Sequence, residues 1–136
     1  MHAAPPEDIL DAFALAGGAR APTRPGNVHE THVVAVPDGR FGVQRINTPV
    51  FGDPAALMAN AALTGHSLAR SAIRPLDYRR TADGALLAAS GGDVWRSYRY
   101  VEGRVIARPR TDAEAFAIGQ AFGRFDAAMA VHPPEH

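Results

Sequence analysis

The sequence contains no cysteine, and its basic side chains are arginines with no lysine among them. Without thiols there are no disulfides and no thiolate metal sites, which fits a reducing cytoplasm. Charge of one sign is missing too: Lys plus Arg number 14 and Asp plus Glu 14. A nucleic-acid partner is therefore not expected, because binding a phosphate backbone calls for a basic face. Long hydrophobic runs are also lacking, and none approaches the roughly 18 apolar residues of a membrane helix. The N-terminal MHAAPPEDIL has neither a basic n-region nor an apolar h-region, so a secretory signal is not expected. These absences describe a soluble, cytoplasmic chain of 136 residues, long enough for one domain or one lobe of a larger enzyme.

Hydrophobic period and turn residues predict the elements. EDILDAFALAGG reads as a helix that presents Ile9, Leu10 and Phe13 on one side and ends at Gly17-Gly18. Residues 19–26 are broken by proline and suit an irregular edge strand followed by a turn. Thr31–Val36 and Arg40–Ile46 flank Pro37-Asp38-Gly39 and form a hairpin. Asp53-Pro54 is an N-cap with proline in the first helical position, opening a helix that runs to about Arg70. Beyond Pro75, Leu76–Arg80, Ala85–Ala89 and Val94–Val101 predict a three-strand meander. Thr111 and Glu114 form a capping box before Ile118, Phe122, Phe125 and Met129, whose helical spacing predicts core packing. The fold class is α+β: an antiparallel sheet of about five strands, an inserted helix and a C-terminal helix.

Several words in this order resemble a known family. The run 43–60, VQRINTPVFGDPAALMAN, is similar to an "LQRIN…VF.DP..LM.N" segment of the aminoglycoside phosphotransferase superfamily, closest to its N-acetylhexosamine 1-kinase-like branch. Residues 26–32, GNVHETH, resemble that branch's "GHINDTY" loop, with His29 and His32 where Asn and Tyr usually stand. Residues 94–103, VWRSYRYVEG, resemble its "YWRLYRFIEG" strand and hinge, and Ala121–Phe125 its "A-x-x-F-G-R-F" helix.

The resemblance implies a protein-kinase-like small lobe over residues 1–103 and a linker and helix over 104–136, with the large lobe lying beyond this chain. It implies that ATP binds, with Gly26 and Asn27 offering backbone N–H groups to phosphate oxygens. Arg45 would take the phosphate-binding position of the third strand, and the main chains of Arg99, Tyr100 and Val101 would meet adenine. Each has a plainer reading: a Pro-Gly turn at 25–26, a strand arginine facing solvent at Arg45, and strand aromatics packing on neighbours at Trp95, Tyr98 and Tyr100. The helix after Arg45 offers no Glu to aim that cation, and Asn60 is its nearest polar substitute.

Catalytic residues are not expected within the chain, which has no His-x-Asp and no loop pairing Asp with a following Asn. Mg²⁺ would bind only with a complementing large lobe. No metal site is expected either: His29 and His32 lie three apart on an extended segment and face opposite sides. No G-x-S-x-G supports a hydrolase. Two functions follow. One is the ATP-binding lobe of a sugar kinase that transfers the γ-phosphoryl group to an N-acetylhexosamine-like hydroxyl. The other is a non-catalytic module that binds a nucleotide or a partner. The partner would be a second chain supplying the large lobe, or another copy docked on an apolar face that includes Phe116, Phe122 and Phe125.

Overall fold

The computed structural model describes residues 4–21, 29–102 and 108–131. Its elements are α1 (Glu7–Ala12), β1 (Ala19–Ala21), β2 (Glu30–Val36), β3 (Gly39–Arg45), α2 (Thr48–Phe51), α3 (Pro54–Ala69), β4 (Tyr78–Arg79), β5 (Ala88–Ser90), β6 (Asp93–Arg99) and α4 (Asp112–Val131). The chain divides into two compact units, residues 1–58 with 76–101 and residues 59–75 with 102–136. No helix among the described residues is long and apolar enough to cross a membrane.

The first unit is the antiparallel sheet anticipated from the sequence. Its strands run β1-β2-β3-β6-β4, with β5 also paired to β6. The β2–β3 hairpin forms at the expected turn, where Gly39 adopts φ 138°, a conformation that favours glycine. The expected meander does not form. β4 and β5 both pair with β6, at Tyr78↔Tyr98 and at Ala88↔Trp95, and so lie end to end along its free side. Between them Thr81 N–H reaches Ala85 O at 2.8 Å and Gly84 N–H reaches Thr81 O at 2.9 Å. The Thr81–Gly84 turn thus closes on itself and puts the chain back on the same lane. Six strands fill five positions.

Register separates two faces. Glu30, His32, Val34, Phe41, Val43, Arg45, Trp95 and Ser97 share one; Thr31, Gln44, Gly42, Arg96 and Tyr98 share the other. The first face is the core, where Val34, Phe41, Val43 and Trp95 pack against Ile9, Leu10, Phe13 and Leu15 from α1 and its exit. Burying each large side chain stabilises by about 1.5–3 kcal/mol.

α1 stops at Ala12, five residues before the expected Gly17. Leu15 N–H donates to Leu10 O at 2.7 Å and Ala14 N–H to Asp11 O at 3.0 Å, with Ala14 at φ 57°. This is a Schellman ending on a residue other than glycine. The left-handed conformation costs about 1–2 kcal/mol. Turning the fully buried Leu15 into the core offsets it. Arg79 Nε then donates to Phe13 O at 2.6 Å, fixing the helix exit to the sheet.

α3 starts as its sequence requires, Asp53 Oδ1 accepting from Ala55 N–H at 3.0 Å and Ala56 N–H at 3.2 Å. Just before it α2 forms a single turn that the sequence did not announce, held by Gly52 N–H to Thr48 O at 2.7 Å.

In the second unit, Thr111 Oγ1 accepts from Glu114 N–H at 3.1 Å and the Glu114 carboxylate accepts from Arg110 N–H at 2.8 Å. The capping box is present, reaching one residue further back than expected. The expectation that Phe122 and Phe125 pack in a core is not met. Among the described side chains of α4 Ala128 is the one buried, while Phe116 is 72% and Phe122 66% exposed and Phe125 is also open to solvent. Within this unit residues 59–75 and the segment leading into α4 accompany it, too little chain to cover more than a narrow stripe of the helix.

Candidate functional site

Gly26 and Asn27 lie outside the described residues. Arg45 ends β3 opposite Glu30 and Trp95. Its Nη2 lies 2.7 Å from Glu30 Oε1 and its Nη1 3.7 Å from Asp93 Oδ2. α3 has no carboxylate to offer, and two acids from neighbouring strands meet the cation instead. The guanidinium is already neutralised and sits on the α1 face. A cation so compensated gains little from an added anion, so this geometry does not favour Arg45 as the phosphate ligand.

The hinge residues are partly committed. Arg99 N–H donates to Asp77 O at 2.8 Å and Tyr100 N–H to Arg40 O at 2.9 Å. Arg99 lays its guanidinium 5.0 Å from the Phe41 ring centre, and Arg40 sits 4.8 Å over Tyr100. Val101 is different: its side chain is 63% exposed, and its N–H has no partner among the described residues. Of the three amides, Val101 is the one able to donate to a ligand.

The residue that sequence reasoning missed is Arg96. It is only 9% exposed, on the face opposite α1, and Met58 of α3 lies against it. Its Nε donates to Gln44 Oε1 at 2.8 Å and its Nη1 contacts Met58 Sδ at 3.6 Å, while the Tyr78 ring centre lies 5.4 Å from the guanidinium carbon. All of these partners are neutral. Among the described residues no carboxylate pairs with Arg96. Among the described residues its Nη2 has no hydrogen-bond partner, and it is not sealed from solvent.

Around this cation the polar groups are oriented. Gln44 gives its Oε1 to Arg96 and its Nε2–H to Thr31 Oγ1 at 2.8 Å. The Thr31 hydroxyl also favours the charged form of the Tyr98 phenol. Burial pushes the Tyr98 phenol above its ordinary value, against the pull of the Thr31 hydrogen bond and the Arg96 charge. Gly42 makes room for that ring: a Cβ there would stand 2.5 Å from Tyr98 Cζ.

His29, just before β2, is stacked on Phe51 with ring centres 5.1 Å apart. Its Nδ1 accepts Asn47 N–H at 3.1 Å, so the neutral ring carries its proton on Nε2. Burial, and then the positive charge of Arg96, lower its pKa.

No family model matches this sequence. The site therefore rests on its own chemistry: a buried cation facing only neutral partners, and an open amide two residues past the end of the same strand.

The alternation in Val94-Trp95-Arg96-Ser97-Tyr98 carried part of this signal. Placing Trp95 and Ser97 in the core puts Arg96 and Tyr98 on the far face. That Met58 closes over Arg96 is a tertiary fact no local pattern contains. In the second unit a separate cavity of about 390 Å³ is lined by Arg70, Ser71, Ile73, Arg124 and Ala128. It is mostly apolar.

Proposed function

We propose that this chain is an ATP-binding small lobe of a sugar-kinase-like phosphotransferase. The observation that supports it is β6 and its exit: a strand beside β3 with a buried cation at Arg96, and a donor at Val101, two residues past its end, that has no partner among the described residues. Five residues separate the two, about 17 Å if the chain stays extended beyond Arg99 at 3.3 Å per residue. An extended nucleoside triphosphate with its hydrogen-bonding reach spans that distance. Adenine would accept from Val101 N–H, and the phosphates would lie toward α3. The γ-phosphoryl transfer to an N-acetylhexosamine-like hydroxyl is implied by the resemblance of the four sequence words. The base that takes the hydroxyl proton and the Mg²⁺ ligands are not among residues 1–136, so this chain alone should not turn over ATP.

A nucleotide-induced thermal shift tests the reading. At ATP about tenfold above its Kd the stabilisation is roughly 1.4 kcal/mol. Val101→Pro removes the donor N–H and should abolish the shift; an unchanged shift would remove the hinge from the site.

The exposed Phe116, Phe122 and Phe125 of α4 favour a partner on that helix, either a second chain carrying the large lobe or a second copy. Light scattering should show self-association at tens of micromolar that Phe122→Glu reverses. A monomer with or without the substitution leaves only the second chain.

A further inference from the structure

A buried guanidinium is costly unless paired, because desolvation of an ion in a protein interior is worth several kcal/mol. Proteins usually meet that cost with a carboxylate, as this one does at Arg45 with Glu30 and Asp93. At Arg96 it does not. The partners there are an amide oxygen, a thioether and an aromatic ring, and Nη2 stays open. The side chains around it, Thr31, Gln44, Tyr78 and Tyr98, bring no negative charge.

We propose that Arg96 forms a receptor for a phosphate group on the sheet face that carries Met58. The planar fork of arginine suits two phosphate oxygens at once. Its Nε is held by Gln44, whose orientation is fixed in turn by Thr31, so the fork is positioned before the anion arrives. The anion supplies the counter-charge that the chain leaves out. This receptor rests on the nucleotide reading for what carries the phosphate, and it reassigns the phosphate contact from Arg45 to Arg96.

The lowered His29 pKa supplies a readout that needs no catalysis. An anion seated on Arg96 offsets the charge that holds the imidazolium down, so the His29 pKa must rise. NMR titration of His29 in the whole chain, with and without millimolar sodium tripolyphosphate, should show a rise. Adenosine should leave it unmoved. Arg96→Gln should remove the tripolyphosphate response, and Arg96→Lys, which keeps the charge and loses the fork, should weaken the affinity about tenfold. Arg45→Ala should keep it. A wild-type His29 that titrates identically with and without tripolyphosphate overturns the receptor, whether or not any Arg96 variant folds.

The receptor and the nucleotide reading fail separately. A tripolyphosphate response combined with no ATP stabilisation sensitive to Val101→Pro leaves the receptor and removes the nucleotide. ATP stabilisation lost in Val101→Pro but unaffected by Arg96→Gln leaves the nucleotide and removes the receptor.

Discussion

Trp95→Ala should cost about 3 kcal/mol of folding stability, within the 3–5 kcal/mol usual for deleting a buried tryptophan. Trp95 is 1% exposed and packs in the cluster built by Phe13, Leu15, Val34, Phe41 and Val43. The low end of the range is expected because the indole Nε1 is buried without an acceptor among the described residues. Deleting the ring also deletes that unsatisfied donor, a group whose burial costs about 1–3 kcal/mol. Trp95→Phe separates the two effects: it keeps most of the apolar volume, drops the donor and should cost less than about 1.5 kcal/mol. Urea denaturation of both variants checks this. A Phe variant as damaged as the Ala variant would mean that Nε1 has a partner. Small domains carry only about 5–15 kcal/mol in total, so the Ala variant should be visibly fragile.

Arg96→Met should do the opposite to the free protein while abolishing its anion binding. Methionine has a similar length, can pack on Met58 and Tyr78, and removes an ion held without a counter-charge. Replacing buried ions by apolar side chains of similar size is often neutral or stabilising by about 1–4 kcal/mol. Part of that gain is lost because Gln44 Oε1 loses its donor, worth about 1–3 kcal/mol. The net expectation is an unchanged or slightly raised melting temperature without ligand, and no stabilisation by tripolyphosphate. If Arg96 served the fold alone, the same substitution would destabilise by more than about 2 kcal/mol. Binding sites commonly hold such functional groups at a cost in stability, and the pair of measurements separates the two cases.

What the sequence made legible follows the range of the interactions involved. The β2–β3 hairpin, the Asp53 cap and the Thr111–Glu114 box depend on residues within a few positions of one another, and each forms where its residues stand. The ending of α1 was misread because Gly17-Gly18 looked like the stop. The deciding fact is the burial of Leu15, which only the sheet supplies. The meander was misread for a similar reason: Thr81–Gly84 has the composition of a hairpin turn, yet both flanking strands pair with β6. On α4 the spacing of Phe122 and Phe125 was correct for a helix, but period alone does not say which stripe is covered. In the candidate site, Arg45 was singled out by its place in a motif, whereas its partners come from β2 and from the start of β6. Arg96 carried no motif at all. Its significance lies in what surrounds it.

The central claim is that the face bearing Arg96, and not the face bearing Arg45, receives a nucleotide laid along β6. Residue-resolved NMR of the whole chain titrated with ATP tests this most directly. The account predicts that the largest shift changes fall on the Val101 amide, the Arg96 side chain, His29 and Tyr98, with Trp95 indole and Arg45 little affected. Changes centred on Arg45, Glu30 and Trp95, or around Arg70 and Arg124, or none at millimolar ATP, would contradict it.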